Sequence, residues 1–196
     1  DGIGEVVVSG LAAGNHTADV KYFGNNNYTG ANTTVNFYIS KANATVVGSI
    51  ANVTYGENVT VKINVTGVVG TDLSGDVTVT IDGAIWNGTV NSDGISSVNV
   101  GILTVGNYTA EVKYFGNNNY TGANTTAIFY VSKANATVVG TVANVTFGEN
   151  VTVKINVTGV AGSDLSGNVT VTIDGVSWNG VVDSDGIGEV VVSGLA

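Results

Sequence analysis

Apolar and polar residues alternate strictly in ENVTVKINVTG, residues 57–67. Val59, Val61, Ile63 and Val65 occupy every second place, and Asn58, Thr60, Lys62, Asn64 and Thr66 stand between them. A period of two marks a strand with one buried and one wet face. Similar short runs recur along the chain, separated by turn residues. No window carries an apolar period of 3.6, so the pattern predicts an all-β protein without helix. Seven strands are expected between 42 and 133, at roughly 44–50, 57–66, 75–82, 84–90, 95–103, 106–115 and 124–132, the number suited to a β-sandwich. In IDGAIW (81–86), Asp82-Gly83 between alternating runs is a strong hairpin signal. Pairing Ile81 with Ala84 across that turn would face both inward, with Trp86 and Val90, and leave Ile85 and Asn87 outward.

The strand pattern repeats as a block. YFGNNNYTGANTT occurs at 22–34 and 114–126, and KANATVVG at 41–48 and 133–140, each pair offset by 92 residues. DGIGEVVVSGLA occurs at 1–12 and again at 185–196, twice that offset. A period of 92 exceeds a solenoid unit and suits a self-contained domain. The expected organisation is the last three strands of one repeat in 1–41, a complete domain in 42–133, and the first five strands of the next repeat in 134–196. The first of those last three strands would be 3–11, recurring at 187–195. Neither end is expected to bury a two-sheet core alone. Either the chain is a window of a longer array, or the two ends complete each other between chains. The first is favoured, because 3–11 and 187–195 would give a completed domain one strand too many. The junction SKANAT contains neither Gly nor Pro, which predicts a stiff connection and a rod-like array.

Composition narrows the function. Only 11% of residues are charged, against about 25% in ordinary soluble domains. Polarity comes instead from 24 Asn, 24 Thr and 13 Ser, and Pro, Cys, Met, Arg and Gln are absent. The net charge of −9, with six cations that are all Lys, ill suits nucleic acid or an anionic membrane surface. Without Cys there is no disulfide and no thiolate metal site. No apolar run reaches the length needed to span a bilayer as a helix, so no membrane insertion is expected in this segment. No cofactor is implied.

The Asn are not scattered. Sixteen of the 24 begin Asn-x-Thr: Asn15, Asn27, Asn32, Asn43, Asn52, Asn58, Asn64, Asn87, Asn107, Asn119, Asn124, Asn135, Asn144, Asn150, Asn156 and Asn168. That is several-fold more than random placement of 37 Ser and Thr among 196 residues would give. Two explanations compete. Residues i and i+2 share one face of a strand, so a solvent face written in Asn and Thr spells the motif without any enzyme in view. The motif is also the acceptor for N-linked glycan on an exported protein. Alternation does not explain why Ser never takes the third place, and Asn is depleted in strands. The loops GNNNYTG and GANTT lie outside the alternation argument altogether. Glycosylation of several sites is therefore the favoured reading. Glycans would also mask exposed strand edges in a chain with no Pro and little Lys for that purpose.

GNYTAEVKYFGNNNYTGANTTAIFYV (106–131) resembles the closing hairpin of tandem bacterial-type Ig-like repeats, which end in G-x-Y-x-x-x-x-x-Y-x-G-D-x-N-Y and a last strand. SGDVTVTIDG and VSGLAAGNHTADVKY fit middle strands of the same family. The chain as a whole looks like the Ig-like arrays of adhesin-like surface proteins in methanogenic archaea. The resemblance implies immunoglobulin-like sandwiches on the cell surface, outside the cell, in a non-catalytic stalk, filament or adhesive role. The partners it implies are neighbouring repeats, N-linked glycans, and other cells or their surface glycans. One departure is that Asn25 and Asn117 stand where the family has Asp after Gly, which puts a cation role there in doubt.

The remaining candidates read mostly as structural. His16 is the single histidine, and Tyr108 takes its place one period later, so no imidazole chemistry is expected. Asp183, Asp185 and Glu189 form a short acidic cluster, but one period earlier NSDGISS loses two of the three acids, which favours a hairpin turn over calcium. Lys62 and Lys113 fall on solvent faces, against a buried Lys–Asn crosslink. Tyr108, Ala110, Val112 and Tyr114 share one face and read as core, with Phe129 and Trp86. Tyr120 and Phe115 are the rings expected to be exposed and available to carbohydrate.

Overall fold

The computed structural model of the chain describes residues 2–193. It is all-β. The strands are β1 (Gly14–Tyr22), β2 (Ala31–Ile39), β3 (Thr45–Ile50), β4 (Val53–Thr54), β5 (Val59–Thr66), β6 (Gly75–Ile81), β7 (Ala84–Val90), β8 (Ile95–Gly101), β9 (Gly106–Tyr114), β10 (Ala123–Ser132), β11 (Thr137–Val142), β12 (Val151–Thr158), β13 (Gly167–Ile173), β14 (Val176–Val182) and β15 (Ile187–Val192). Backbone packing divides the chain into two units. One holds the residues up to 51 with 58–101 and 107–130, and the other holds 52–57, 102–106 and the residues from 131 onward.

Between β3 and β10 two sheets stack as a sandwich, one ordered β3-β5-β8 and the other β4-β10-β9-β6-β7. The alternation of residues 57–67 produces the first: Val59, Val61, Ile63 and Val65 are buried while Lys62, Asn64 and Thr66 are exposed. Facing them, Val77, Val79 and Ile81 of β6 and Ala110, Val112 and Tyr114 of β9 are buried, in register as Val77↔Tyr114, Val79↔Val112 and Ile81↔Ala110. The sheets meet closely: a Cβ placed on Gly48 of β3 would lie 2.8 Å from Val112. Each buried aliphatic side chain stabilises the sandwich by about 1.5–3 kcal/mol relative to exposure. The hairpin at Asp82-Gly83 forms as predicted, with both residues at positive φ (49° and 82°) as a type I′ turn requires. Ile81 pairs with Ala84, and Trp86 and Val90 turn inward while Ile85 and Asn87 turn out.

Ala84 itself departs from the prediction. It is exposed, as β7 is the edge strand of its sheet and Ala84 sits at the hairpin tip. The two-residue β4 was not anticipated. It runs parallel to the end of β10, Val53 against Val131 and Thr54 against Ser132.

The largest departure is at residues 3–11, which form no strand, and Ile3, Val6 and Val7 are almost fully exposed. A strand exists by exchanging backbone hydrogen bonds with a neighbour, and no described residue pairs with this segment. The recurrence is a strand over 187–192, where β15 pairs with β12; positions 194 and 195 of that expectation lie outside the described residues. Upstream of β3, the hairpin of β1 and β2 is thus a two-stranded sheet.

The five strands β11–β15 form one sheet, ordered β11-β12-β15-β14-β13. On this single sheet they bury a small core of Ile155, Val182, Val190 and Val192, with Trp178, Val169, Val171 and Ile173 packed against it. Its continuity has a local cause. β14 and β15 are bridged at Val182↔Gly188, and a Cβ on Gly188 would lie 2.4 Å from the Val181 carbonyl oxygen. One period earlier the residue is Ser96, and β7 and β8 lie in separate sheets.

Candidate functional site

The Asn-x-Thr surface follows from the alternation. Eight of the asparagines lie in strands (Asn15, Asn32, Asn64, Asn87, Asn107, Asn124, Asn156, Asn168) and eight outside them (Asn27, Asn43, Asn52, Asn58, Asn119, Asn135, Asn144, Asn150). Asn58 and Asn150 continue the alternation of β5 and β12 by one residue, so shared strand faces reach these two as well as the eight in strands and leave Asn27, Asn43, Asn52, Asn119, Asn135 and Asn144 outside. Fifteen of the sixteen are exposed, and the exception is Asn119, which is half-buried. Its Oδ1 accepts a hydrogen bond from the Ala13 backbone N–H at 3.0 Å, and its own N–H donates to Asn117 Oδ1 at 2.9 Å.

That loop is the most elaborate polar assembly of the sandwich. Asn117 Oδ1 accepts from the backbone N–H of Asn119 and of Tyr120, and its Nδ2 donates to the carbonyls of Asp72 (3.0 Å) and Ser74 (2.9 Å). The turn so formed swings Tyr120 inward. Its hydroxyl accepts from the Val68 N–H at 2.8 Å and pairs with the Thr71 hydroxyl. The expectation of an exposed Tyr120 ring is therefore wrong: it is 1% exposed. Sequence spacing could not show this, because the direction of a ring in a loop is set by the turn before it. Tyr114 donates to the Leu73 carbonyl at 3.0 Å, and burial, with the Asp72 charge second, pushes its phenol up from the ordinary value. Asp72 is held below the usual carboxylate range by the Ser74 backbone N–H and the Ser74 hydroxyl.

Asn117 was missed as a structural residue. The available signal was an Asn at the head of a turn, a residue that bonds the backbone two positions on. The role needs two acceptor bonds and two donor bonds at once, which an amide supplies and a carboxylate cannot. That accounts for an amide rather than a carboxylate at this position.

The other candidates settle into packing. His16 stacks on Phe37 with ring centroids 5.4 Å apart, and Tyr108 stacks on Phe129 at the same distance one period later. Asp183 Oδ1 accepts from the N–H of Asp185 and Ile187, and Asn91 Oδ1 makes the same two bonds to Asp93 and Ile95. The acidic cluster is a hairpin turn, and its Asn counterpart serves because only an acceptor oxygen is needed. Among the described residues no group of three His, Cys, Asp or Glu is placed to hold a metal ion. Lys62 and Lys113 are exposed, the latter 4.7 Å over the Phe115 ring. Phe115 is exposed, beside an open depression of about 600 Å³ on the outer face of β6, β9 and β10, lined by Thr78, Thr80, Glu111, Lys113, Phe115 and Asn124 among others.

No protein-family model matches the chain, and no curated protein does. Among solved structures it is similar to part of a 1.5-MDa bacterial ice-binding adhesin studied for host cell surface retention, at 20% identity and a TM-score of 0.39. The match covers 90% of this chain and 62% of that one, so the chain spans a little under two thirds of that structure's length.

Proposed function

We propose that the chain is a non-catalytic structural repeat of an extracellular, N-glycosylated, adhesin-like stalk or filament of the cell surface. The observation that carries this is the division of the surface: fifteen of sixteen Asn-x-Thr asparagines are exposed, around cores in which no buried polar or charged residue occurs among the described ones. Asn27, Asn43, Asn52, Asn135 and Asn144 among them lie in turns and connections, where strand alternation does not generate them. The repeats are Ig-like domains of 92 residues with boundaries near 41 and 133, and neighbouring repeats and glycans are the partners. Peptide mapping of native material tests the reading. Sugar mass on several of the fifteen exposed sites and none on Asn119 is the expected result, and unmodified asparagines throughout would remove it.

A second reading, a module that binds carbohydrate or another cell, has one supporting feature: the depression beside Phe115, with an exposed ring, hydroxyls and both charge signs. Its test is a glycan-array signal that is lost in Phe115→Ala. Tyr120 has no part in it, since its ring is buried.

A further inference from the structure

The outer face of the sheet β4-β10-β9-β6-β7 carries an exposed ring, Phe115, just past the end of β9. Its backbone N–H donates to the Asp76 carbonyl at 3.0 Å, which seats it beside β6. The Lys113 ammonium lies 4.7 Å from the ring centroid, and Lys21 lies 5.0 Å from that of Phe23 one period back. Lys113 lines the depression on the β9 and β10 side of the ring. A second open depression, also of about 600 Å³, extends toward β7. Phe115, Asp76, Thr78, Asn87 and Thr89 line it among others, and none of its lining residues is a cation. All of these residues lie between 76 and 115, well inside the sandwich of β3 to β10.

The motif Asn87-Gly88-Thr89 thus stands entire in the wall of the second depression. Asn87 is opposite Thr78, and Thr78 is opposite Lys113, so β6 alone separates the strand of Asn87 from that of the ring. Two strand spacings make about 10 Å. Between them stand Thr78 and Asp76, whose short side chains leave the ring within reach. The middle Gly is set by packing, since a Cβ on Gly88 would lie 2.7 Å from Val98. One period on, a Cβ on Gly180 would lie 2.6 Å from Val190 and Asn179 is kept, but Val181 takes the third place. There the amide is engaged: Asn179 Oδ1 accepts from the hydroxyl of its cross-strand neighbour Thr170 at 3.0 Å. Thr78 and Asn87 are the equivalent pair, and among the described residues no hydrogen bond holds the Asn87 side chain.

We propose that Asn87 carries an N-linked glycan whose first sugars lie across β6 and stack on the Phe115 ring. The inference rests on the glycosylation reading and deepens it, because it selects one asparagine and gives its glycan a fixed place on the protein. A pyranose presents one face of C–H groups, whose partial positive charge meets the negative face of an aromatic ring. Lys113 lies over the ring from the β9 and β10 side, and the approach from β7 is free of cations. Hydroxyls at the rim of the sugar meet the Asp76 carboxylate, an acceptor, and the Thr78 hydroxyl, a donor and acceptor. An apolar ring that is 52% exposed thereby gains a cover. A glycan rooted on β7 also shields the unpaired edge of that strand. Phe115 so covered is closed to foreign sugar, which sets this inference against the carbohydrate-binding reading.

The test compares chain purified from its native host with unglycosylated recombinant chain. Thr89→Val removes the motif with the residue that the chain itself places at 181. Peptide mapping should find sugar on Asn87, and none there in Thr89→Val. In host-derived chain Thr89→Val should lower the unfolding midpoint by roughly 4–8 °C, the shift of about one stacking contact in a domain of this size. In unglycosylated chain it should leave the midpoint unchanged. Phe115→Leu keeps an apolar side chain and removes the ring, and in that background Thr89→Val should have no effect even on host-derived chain. Proton NMR of the glycoprotein should show sugar C–H signals moved upfield by the ring, and Phe115→Leu should return them. Asn87 unmodified while other asparagines carry sugar would overturn the proposal. So would a loaded Asn87 with unshifted sugar signals and a midpoint that Thr89→Val does not change. Unmodified asparagines throughout would remove the glycosylation reading and this inference with it, a result distinct from the other two.

Discussion

The twelve residues DGIGEVVVSGLA occur twice with no difference between them, and the structure treats them in opposite ways. Near the start of the chain they are irregular, with Val6 and Val8 exposed. Near its end residues 187–192 of the copy are strand β15, with Val190 and Val192 buried. Propensity, alternation and turn residues are identical in the two places, so none of them is the cause. The difference is the neighbour. Lys154↔Glu189 and Val153↔Val190 exist because β12 lies alongside. A strand of this composition is a conditional element: its backbone bonds and its apolar face are both satisfied by another strand or by neither.

The sharpest way to break this comparison is to place a charge at equivalent positions. Val192→Asp buries a carboxylate where exposure is zero, and should destabilise the β11–β15 sheet by more than about 3 kcal/mol. Val8→Asp, the same substitution in the same sequence, should change stability by no more than about 0.5 kcal/mol. Thermal unfolding of the two variants measures both. Equal losses would mean that residues 3–8 are held in a contact the comparison denies.

A smaller effect is expected at the glycines. Gly188 and Gly4 are equivalents, and a Cβ on Gly188 meets the Val181 carbonyl oxygen while nothing lies within 4 Å of one on Gly4. Gly188→Ser should cost about 1–3 kcal/mol as an overpacked site and open the bridge between β14 and β15, leaving two sheets as Ser96 does. Gly4→Ser should be silent. Hydrogen exchange at Val182 and Gly188 follows the bridge directly, and retained protection in Gly188→Ser would refute the role given to that glycine.

These positions also show what could be read from residues alone. The inward face of β5 was legible because four apolar residues alternate without interruption. The 81–84 hairpin was legible because Asp-Gly demands one turn type. Where local pattern and tertiary neighbour part company, reading failed: residues 3–11 have the strand pattern and no partner among the described residues, and Ala84 has the inward phase but sits at the tip of an edge hairpin. Tyr120 failed for another reason. Whether its ring points in or out depends on four hydrogen bonds of Asn117 to residues 43 to 45 positions away and to the next turn. Tyr28 has the same local sequence and only the local half of those bonds, and its ring is exposed. The exposed asparagines, by contrast, were legible wherever they lay on a strand's polar face.

That contrast gives a prediction of about 1–2 kcal/mol. Asn117→Asp removes two donors to the carbonyls of Asp72 and Ser74, at about 1 kcal/mol for each neutral bond lost, and should free the Tyr120 ring enough to quench its buried fluorescence environment. Asn25→Asp keeps the acceptor bonds that exist there and should leave stability unchanged in dilute, monomeric chain. If the two variants behave alike, the tertiary half of the lock contributes nothing.

The smallest expected difference is between Asp72 and Asp164, and it tests the comparison from the other side. Asp72 lies under the β9–β10 hairpin, next to Asn117 and Tyr114; among the described residues Asp164 has no such hairpin over it. Yet both carboxyls are held below the ordinary value near 3.8 by the same cause, the backbone N–H and then the hydroxyl of the serine two residues on, Ser74 or Ser166. These bonds close within one turn, so they should form wherever the turn forms. A native carboxyl titrating below its unfolded value contributes stability that is present above the unfolded pKa and is lost as pH falls through the native one. Both turns should therefore weaken in the same acid range, and NMR titration should give both carboxyls lowered midpoints of similar size. A normal midpoint at Asp164 beside a lowered one at Asp72 would mean that even a three-residue motif here waits for its neighbouring strand, and the division between local turns and conditional strands would have to be redrawn.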